Sequence, residues 1–147
     1  MSERSLFDEL GGTETLKRVH KIFYDKIYAH PWIGQFFAHV SQEIIESQQS
    51  DFMAQAMGGP ARYCGAFPVA AHKHMNISQE LFELRHSLLV ESLREAGLSD
   101  DHQAKWLRID GAFKAGIVKK SFSDCEKRFT TDEILDFQKP FGSKKAA

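Results

Sequence analysis

Apolar residues recur at spacings of three and four along most of the chain, and no stretch shows the two-residue alternation of a strand. Leu16, Val19, Phe23 and Ile27 mark a helix from about Thr13 to Ala29. Gly11-Gly12 separates it from a short helical lead over Ser5 to Leu10, and Thr13 is the expected N-cap, with Glu14 near the positive helix end. His30-Pro31 stops this helix, because the residue before a proline is pushed out of the helical region. Pro31 to Val40 is a connection carrying Trp32, Phe36 and Phe37. Ser41 caps a second helix whose buried stripe reads Ile45, Gln49, Phe52, Met53 and Ala56, and Gly58-Gly59-Pro60 ends it. After an irregular segment from Ala61, Pro68 suits the first turn of a short helix carrying His72. Ser78 caps the next helix, with Leu81, Phe82, Leu88, Leu89 and Leu93 inward and Gly97 at its close. Ser99 caps a last long helix through Trp106, Ile109, Phe113 and Ile117. Ser121 to Ala147 reads as an appendage, in which Thr131 to Phe137 makes one or two helical turns and Gly142 to Ala147 frays. The class is all-α, and a helical bundle with a packed core and no cofactor fits this pattern by itself.

Composition narrows the class further. A chain of 147 residues suits one domain with a core of its own. The net charge of -1 gives no field that points to nucleic acid or to an anionic membrane surface. The basic pairs Lys119-Lys120, Lys127-Arg128 and Lys144-Lys145 read as a solvated face. No apolar run is long enough to span a bilayer, and the first ten residues lack the apolar centre of a secretory signal. Cys64 and Cys125 do not make a disulfide framework, so a cytoplasmic location is the expectation. Twelve phenylalanines fill a core well and also suit a pocket that grips a flat aromatic cofactor.

Three residues carry candidate chemistry. Gln49 lies in the centre of an apolar stripe, where an amide without a partner costs about 1–3 kcal/mol. It is either satisfied by a neighbour or free for a ligand. Tyr24, at the shoulder of the first helix's stripe, is either a core tyrosine with its hydroxyl outward or a second polar group aimed at the same cavity. His72 sits among small residues, with His74 two positions on and therefore on another side of a helix. A lone histidine is weak evidence for zinc, which takes four protein or solvent ligands. It suits haem, where the porphyrin supplies four ligands and one axial position is left for a gas. No phosphate loop, nucleophile elbow or CxxC is present.

These residues resemble the truncated haemoglobins, short globins with a two-over-two helical sandwich, and most closely their first group. The resemblance is carried by Leu6-Phe7-Asp8-Glu9-Leu10-Gly11-Gly12, Phe23-Tyr24, Phe36-Phe37 and Gln48-Gln49. It continues through Gly58-Gly59-Pro60-Ala61-Arg62-Tyr63-Cys64-Gly65 and Ala71-His72 to Ile77 and Phe82. It spans roughly Ser5 to Lys120, which makes residues 1–120 a truncated globin domain and 121–147 an extension, partly helical or disordered, without counterpart in the short family pattern.

The resemblance implies a haem b cofactor with His72 as proximal iron ligand, and His74 as no ligand. It implies a distal Tyr24 and Gln49, with Phe37 on the porphyrin face. Ile45, Phe52, Met53, Ile77, Phe82 and Leu89 would line the cavity. Gln48, a poor iron ligand, stands where some relatives carry a coordinating side chain, so an open sixth site in the ferrous form is expected. Arg85 stands where the second group carries tryptophan. Whether it meets a propionate or solvent stays open at this point. The implied function is reversible binding and transport of dioxygen, with carbon monoxide and nitric oxide as further ligands, in a monomer or weak dimer without membrane or nucleic-acid partners. An enzymatic alternative is nitric oxide dioxygenation, which needs an external reductase because the chain carries no flavin or nicotinamide domain. A haem-free helical interaction module is the third reading.

Overall fold

The computed structural model describes residues 4–140. Among the described residues seven α-helices run in order: α1 Leu6–Leu10, α2 Thr13–Ala29, α3 Gln42–Ala56, α4 Pro68–His72, α5 Gln79–Glu95, α6 Asp100–Gly111 and α7 Lys114–Ile117. A 3-10 turn, Ile33–Phe37, bridges α2 to α3. Helices α2 and α3 form one packed pair and α5 and α6 the other; α2 also packs on α5 and so joins the two. This is the two-over-two arrangement. No described helix is long and apolar enough to cross a membrane.

Serine caps set most helix starts. The Ser5, Ser41, Ser78 and Ser99 hydroxyls accept from the amides of Asp8, Ile44, Leu81 and His102 at 3.1, 3.3, 3.1 and 3.1 Å. Each such cap stabilises its helix by about 1 kcal/mol. Thr13 departs from its expected role. It is already inside α2, and Gly12 stands at the cap with no side-chain hydrogen bond.

The core is built where the apolar faces of α2 and α5 meet. Leu16, Val19, Phe23 and Ile27 from α2 bury against Leu81, Leu89 and Leu93 from α5, with Trp106 of α6 closing the far side. Helix α3 behaves differently. Met53 and Ala54 are buried, but Ile45, Gln49 and Phe52 are only half-buried and Ala56 is exposed. Its apolar stripe therefore faces a cavity as much as a neighbouring helix.

Two glycines permit close approaches that hold this shape. A Cβ on Gly59 would stand 2.5 Å from the Phe7 ring, so the turn after α3 can lie against α1 only without a side chain. A Cβ on Gly116 would stand 2.5 Å from Val69, so α7 can press on α4, the helix of His72, only because position 116 is bare.

Two further expectations need correction. The last helix is not continuous to Ile117; it breaks at Ala112–Phe113 between α6 and α7. Thr131 to Phe137 is not helical, and Leu135 instead forms a single parallel bridge with Met75. The described part of the extension packs against the body through Leu135 and Phe137. The fraying expected over Gly142 to Ala147 lies outside the described residues.

Candidate functional site

A cavity of about 390 Å³ lies among α2, α3, α4 and α5. Tyr24, Phe37, Ile45, Gln49, Phe52 and Met53 line it from α2, the 3-10 turn and α3; His72 lines it from α4; Ile77 and Phe82 line it at the start of α5. Every residue singled out in the sequence is thus brought together except Leu89. Leu89 is core, and it borders a separate void of about 10 Å³ shared with Tyr24 and Gln49. His74 does not reach the cavity. It is buried beneath the extension, and its Nδ1 has no hydrogen-bond partner among the described residues.

The His72 ring is oriented by its own helix. Its Nδ1 lies 2.6 Å from the carbonyl of Pro68, one turn earlier. A carbonyl only accepts, so Nδ1 carries the proton and the Nε2 lone pair is left free. Burial lowers the pKa of His72 to about 4 despite the opposing Pro68 bond; the charges of Arg85, Lys119 and His74 act in the same direction as burial. The ring is therefore neutral at pH 7, the form a metal requires.

Tyr24 and Gln49 present polar groups to the same space. Tyr24 is 5% exposed, and neither its hydroxyl nor the Gln49 amide has a protein hydrogen-bond partner among the described residues. Burial raises the Tyr24 pKa well above the usual phenol range; the charge of Arg85 opposes this only in part. Tyr24 stays a phenol and hence a donor. An imidazole with a free Nε2, two unpartnered polar groups and a largely aromatic and aliphatic wall, which Gln48, Arg85, Asp110 and Arg128 also border, fit a haem with one protein ligand.

The family model for bacterial-like globins matches residues 5–115. The chain belongs to this globin family. It is 32% identical over 121 residues to the group 1 truncated hemoglobin of Tetrahymena thermophila, covering 82% of this chain and 93% of that one. Among solved structures, the truncated hemoglobin of Tetrahymena pyriformis in its Fe(III) form superimposes with a TM-score of 0.73 at 26% identity, over 80% of this chain and all of that one. The group II truncated hemoglobin of Bacillus anthracis has the same TM-score at 19% identity, over 81% and 94% of the two chains, and speaks for the fold alone. Membership implies a haem cofactor and haem-based gas binding.

Periodicity alone did not single out three further features of this globin. Arg85 and Asp110 both line the cavity, joined by an Nη1–Oδ2 hydrogen bond of 2.8 Å. Lys119, expected on a solvated face, is half-buried. Its ammonium donates to the carbonyls of His72, Met75 and Ile117 at 3.0, 3.0 and 2.8 Å, tying the segment that follows His72 to the end of α7. The signal for it would have been its position directly after the last apolar turn, near exposed carbonyls at a helix end.

Behind Tyr24 sits His20, 4% exposed, its Nδ1 2.9 Å from the Ser50 hydroxyl and its ring edge-on to Trp106. Burial first and the charge of Arg85 second lower its pKa to about 3, against an ordinary 6.5. Above pH 6.5 both folded and unfolded states hold it neutral. Below that, the unfolded chain binds a proton that the folded one refuses, so stability is lost as pH falls from 6.5 towards about 3. His20→Gln, which does not titrate, should flatten that part of the curve of urea midpoint against pH. An unchanged slope would show that other groups govern it.

Proposed function

We propose that this globin binds haem b through His72 and captures dioxygen and other diatomic gases, carbon monoxide and nitric oxide among them, opposite that residue. The observation that carries the reading is the pairing of a neutral, Pro68-oriented His72 with an unpartnered Tyr24 hydroxyl and Gln49 amide in one largely apolar cavity. When bound, haem would supply an iron able to take up a diatomic gas. His72 Nε2 would hold that iron. No other imidazole lines the cavity among the described residues, and Gln48 is the side chain beside Gln49, so no second imidazole would compete with the gas.

Tyr24 and Gln49 then act as donors. A ligand that draws charge toward its outer atom gains about 1–3 kcal/mol from each charge-assisted hydrogen bond made in a water-poor pocket, or roughly ten- to a hundredfold in affinity. Carbon monoxide, with less charge on its outer atom, gains less. Ile45, Phe52, Met53 and Phe82 offer no hydrogen bonds to water and keep the surroundings dry. A cytoplasmic location belongs to the same reading, supported by two free thiols, Cys64 and Cys125.

Reconstitution with haemin should give a Soret band at one haem per chain; its absence would overturn the reading. In reconstituted protein, Tyr24→Phe should speed oxygen dissociation at least several-fold in stopped-flow mixing, because a phenyl ring keeps the packing and removes the donor. An unaltered off-rate would remove Tyr24 from the ligand's surroundings.

A further inference from the structure

Arg85 is to α5 what Gln49 is to α3: a polar residue within the inward stripe, flanked by the buried Phe82 and Leu89. Its guanidinium carbon lies 5.3 Å from the Phe23 ring centroid and 5.9 Å from that of Phe82. One of its five N–H donors goes to Asp110; the others meet no protein acceptor among the described residues. The side chain lines the cavity and keeps 29% of its surface accessible. Arg85 and Asp110 also share the water-sized void with Tyr24 and Gln49, and His72 does not border that void. The ion pair therefore stands beside Tyr24 and Gln49 on the cavity wall.

We propose that Arg85, held in place by Asp110, is a third polar group of the ligand pocket and makes it a receptor for small inorganic anions, of which fluoride is the simplest probe. Neutral gases call for little more than the donors of Tyr24 and Gln49. An anion is selected by charge-assisted hydrogen bonds, roughly twice as strong as neutral ones, and a guanidinium with free N–H groups in a low-dielectric cavity supplies them. Asp110 keeps the empty pocket from holding a bare cation, which would be costly to bury. It also fixes the plane of the fork through its bond to Nη1. Linking α5 to α6 is the pair's structural effect, and that effect alone would not distinguish anionic from neutral ligands.

The inference rests on the haem reading, and the test separates the two. Sodium fluoride is titrated at fixed pH into the ferric, haem-loaded full chain and followed by absorption, with neutral imidazole in parallel. Arg85→Met combined with Asp110→Leu removes both charges, so no ion is stranded. This double variant should bind fluoride at least about tenfold more weakly, with imidazole affinity held within about threefold. Arg85→Lys should fall between, since it keeps the charge and loses the fork. A second pair, Tyr24→Phe with Gln49→Leu, leaves Arg85 as the donor. The charge-transfer band of its fluoride complex, which moves with hydrogen bonding to the fluoride, should remain at a hydrogen-bonded position. Equal fluoride affinity with and without the ion pair, parallel losses for fluoride and imidazole, or a band at the unbonded position in the second pair would each overturn the proposal. Absence of a Soret band would overturn both readings.

Discussion

His72→Gly protein is expected to lose its stable haem complex. Among the described residues His72 is the only imidazole on the cavity wall, and nothing there replaces it. Tyr24 is held as a phenol by burial, Gln49 offers only an amide, and Cys64 is exposed and off the cavity. Losing an outer partner of a metal ligand costs about 10- to 100-fold in affinity, so losing the ligand itself should cost more than that. The readout is the rate of haem transfer to an acceptor apoprotein, which should rise by more than about tenfold. The substitution removes an imidazole and leaves a gap of that shape, so free imidazole in the buffer should slow the transfer again. That rescue separates a lost bond from a damaged fold, because a collapsed cavity has nothing to offer imidazole. If the variant keeps an unaltered five-coordinate spectrum and its haem, the iron is held by another group and the assignment of His72 fails.

The parts of this site that were legible in the sequence are those written in local pattern. Gln49 could be singled out because an amide interrupts a helical stripe, and His72 because a lone imidazole stands among small residues on a short helix that begins at Pro68. The helix starts at Ser41, Ser78 and Ser99 were legible for the same reason: a cap is a contact between residues three apart. The break between α6 and α7 was not. Ala112 and Phe113 leave the helical hydrogen-bond pattern while keeping right-handed backbone angles, φ -63°, ψ -21° and φ -94°, ψ -5°. The apolar spacing from Ile109 to Ile117 therefore runs through the break undisturbed. The Arg85–Asp110 pair was invisible because its members lie on two helices, 25 positions apart. Arg85 alone offers the same cue as Gln49, but a long cationic side chain in a stripe is as readily read as one that reaches solvent. The extension was the least legible of all. Its contacts with the loop after His72 run between backbone groups more than fifty residues apart, and backbone groups leave no trace in residue type.

Those contacts give the extension a consequence out of proportion to its regular structure, a single 3-10 turn at Phe122–Asp124 and the bridge at Leu135. The Glu126 amide donates to the Lys73 carbonyl at 2.8 Å, the Leu135 amide to His74 at 2.8 Å, and the Leu135 carbonyl accepts from the Asn76 amide at 2.8 Å. The three contacts clasp the loop that follows His72. Further along, the Phe137 carbonyl accepts from the Trp32 indole at 2.7 Å, and the Phe137 ring stands edge-on to Phe36 at 4.9 Å. Deleting residues 121–147 should therefore do more than shorten the chain. Each hydrogen bond contributes about 0.5–1.5 kcal/mol net, and the ordering cost of the freed segment offsets part of the sum, so a loss of about 2–4 kcal/mol in urea unfolding is expected. Haem transfer should quicken several-fold, because the segment that aims His72 is released while the ligand itself remains. Leu135→Pro isolates the cause. It deletes one amide at the bridge to His74 without removing the rest of the extension. It should reproduce the faster transfer in part, and a free peptide of the deleted sequence, added back to the shortened chain, should slow it. Identical transfer rates in the full, shortened and Leu135→Pro proteins would mean that the proximal loop holds itself and that the extension only lies upon it.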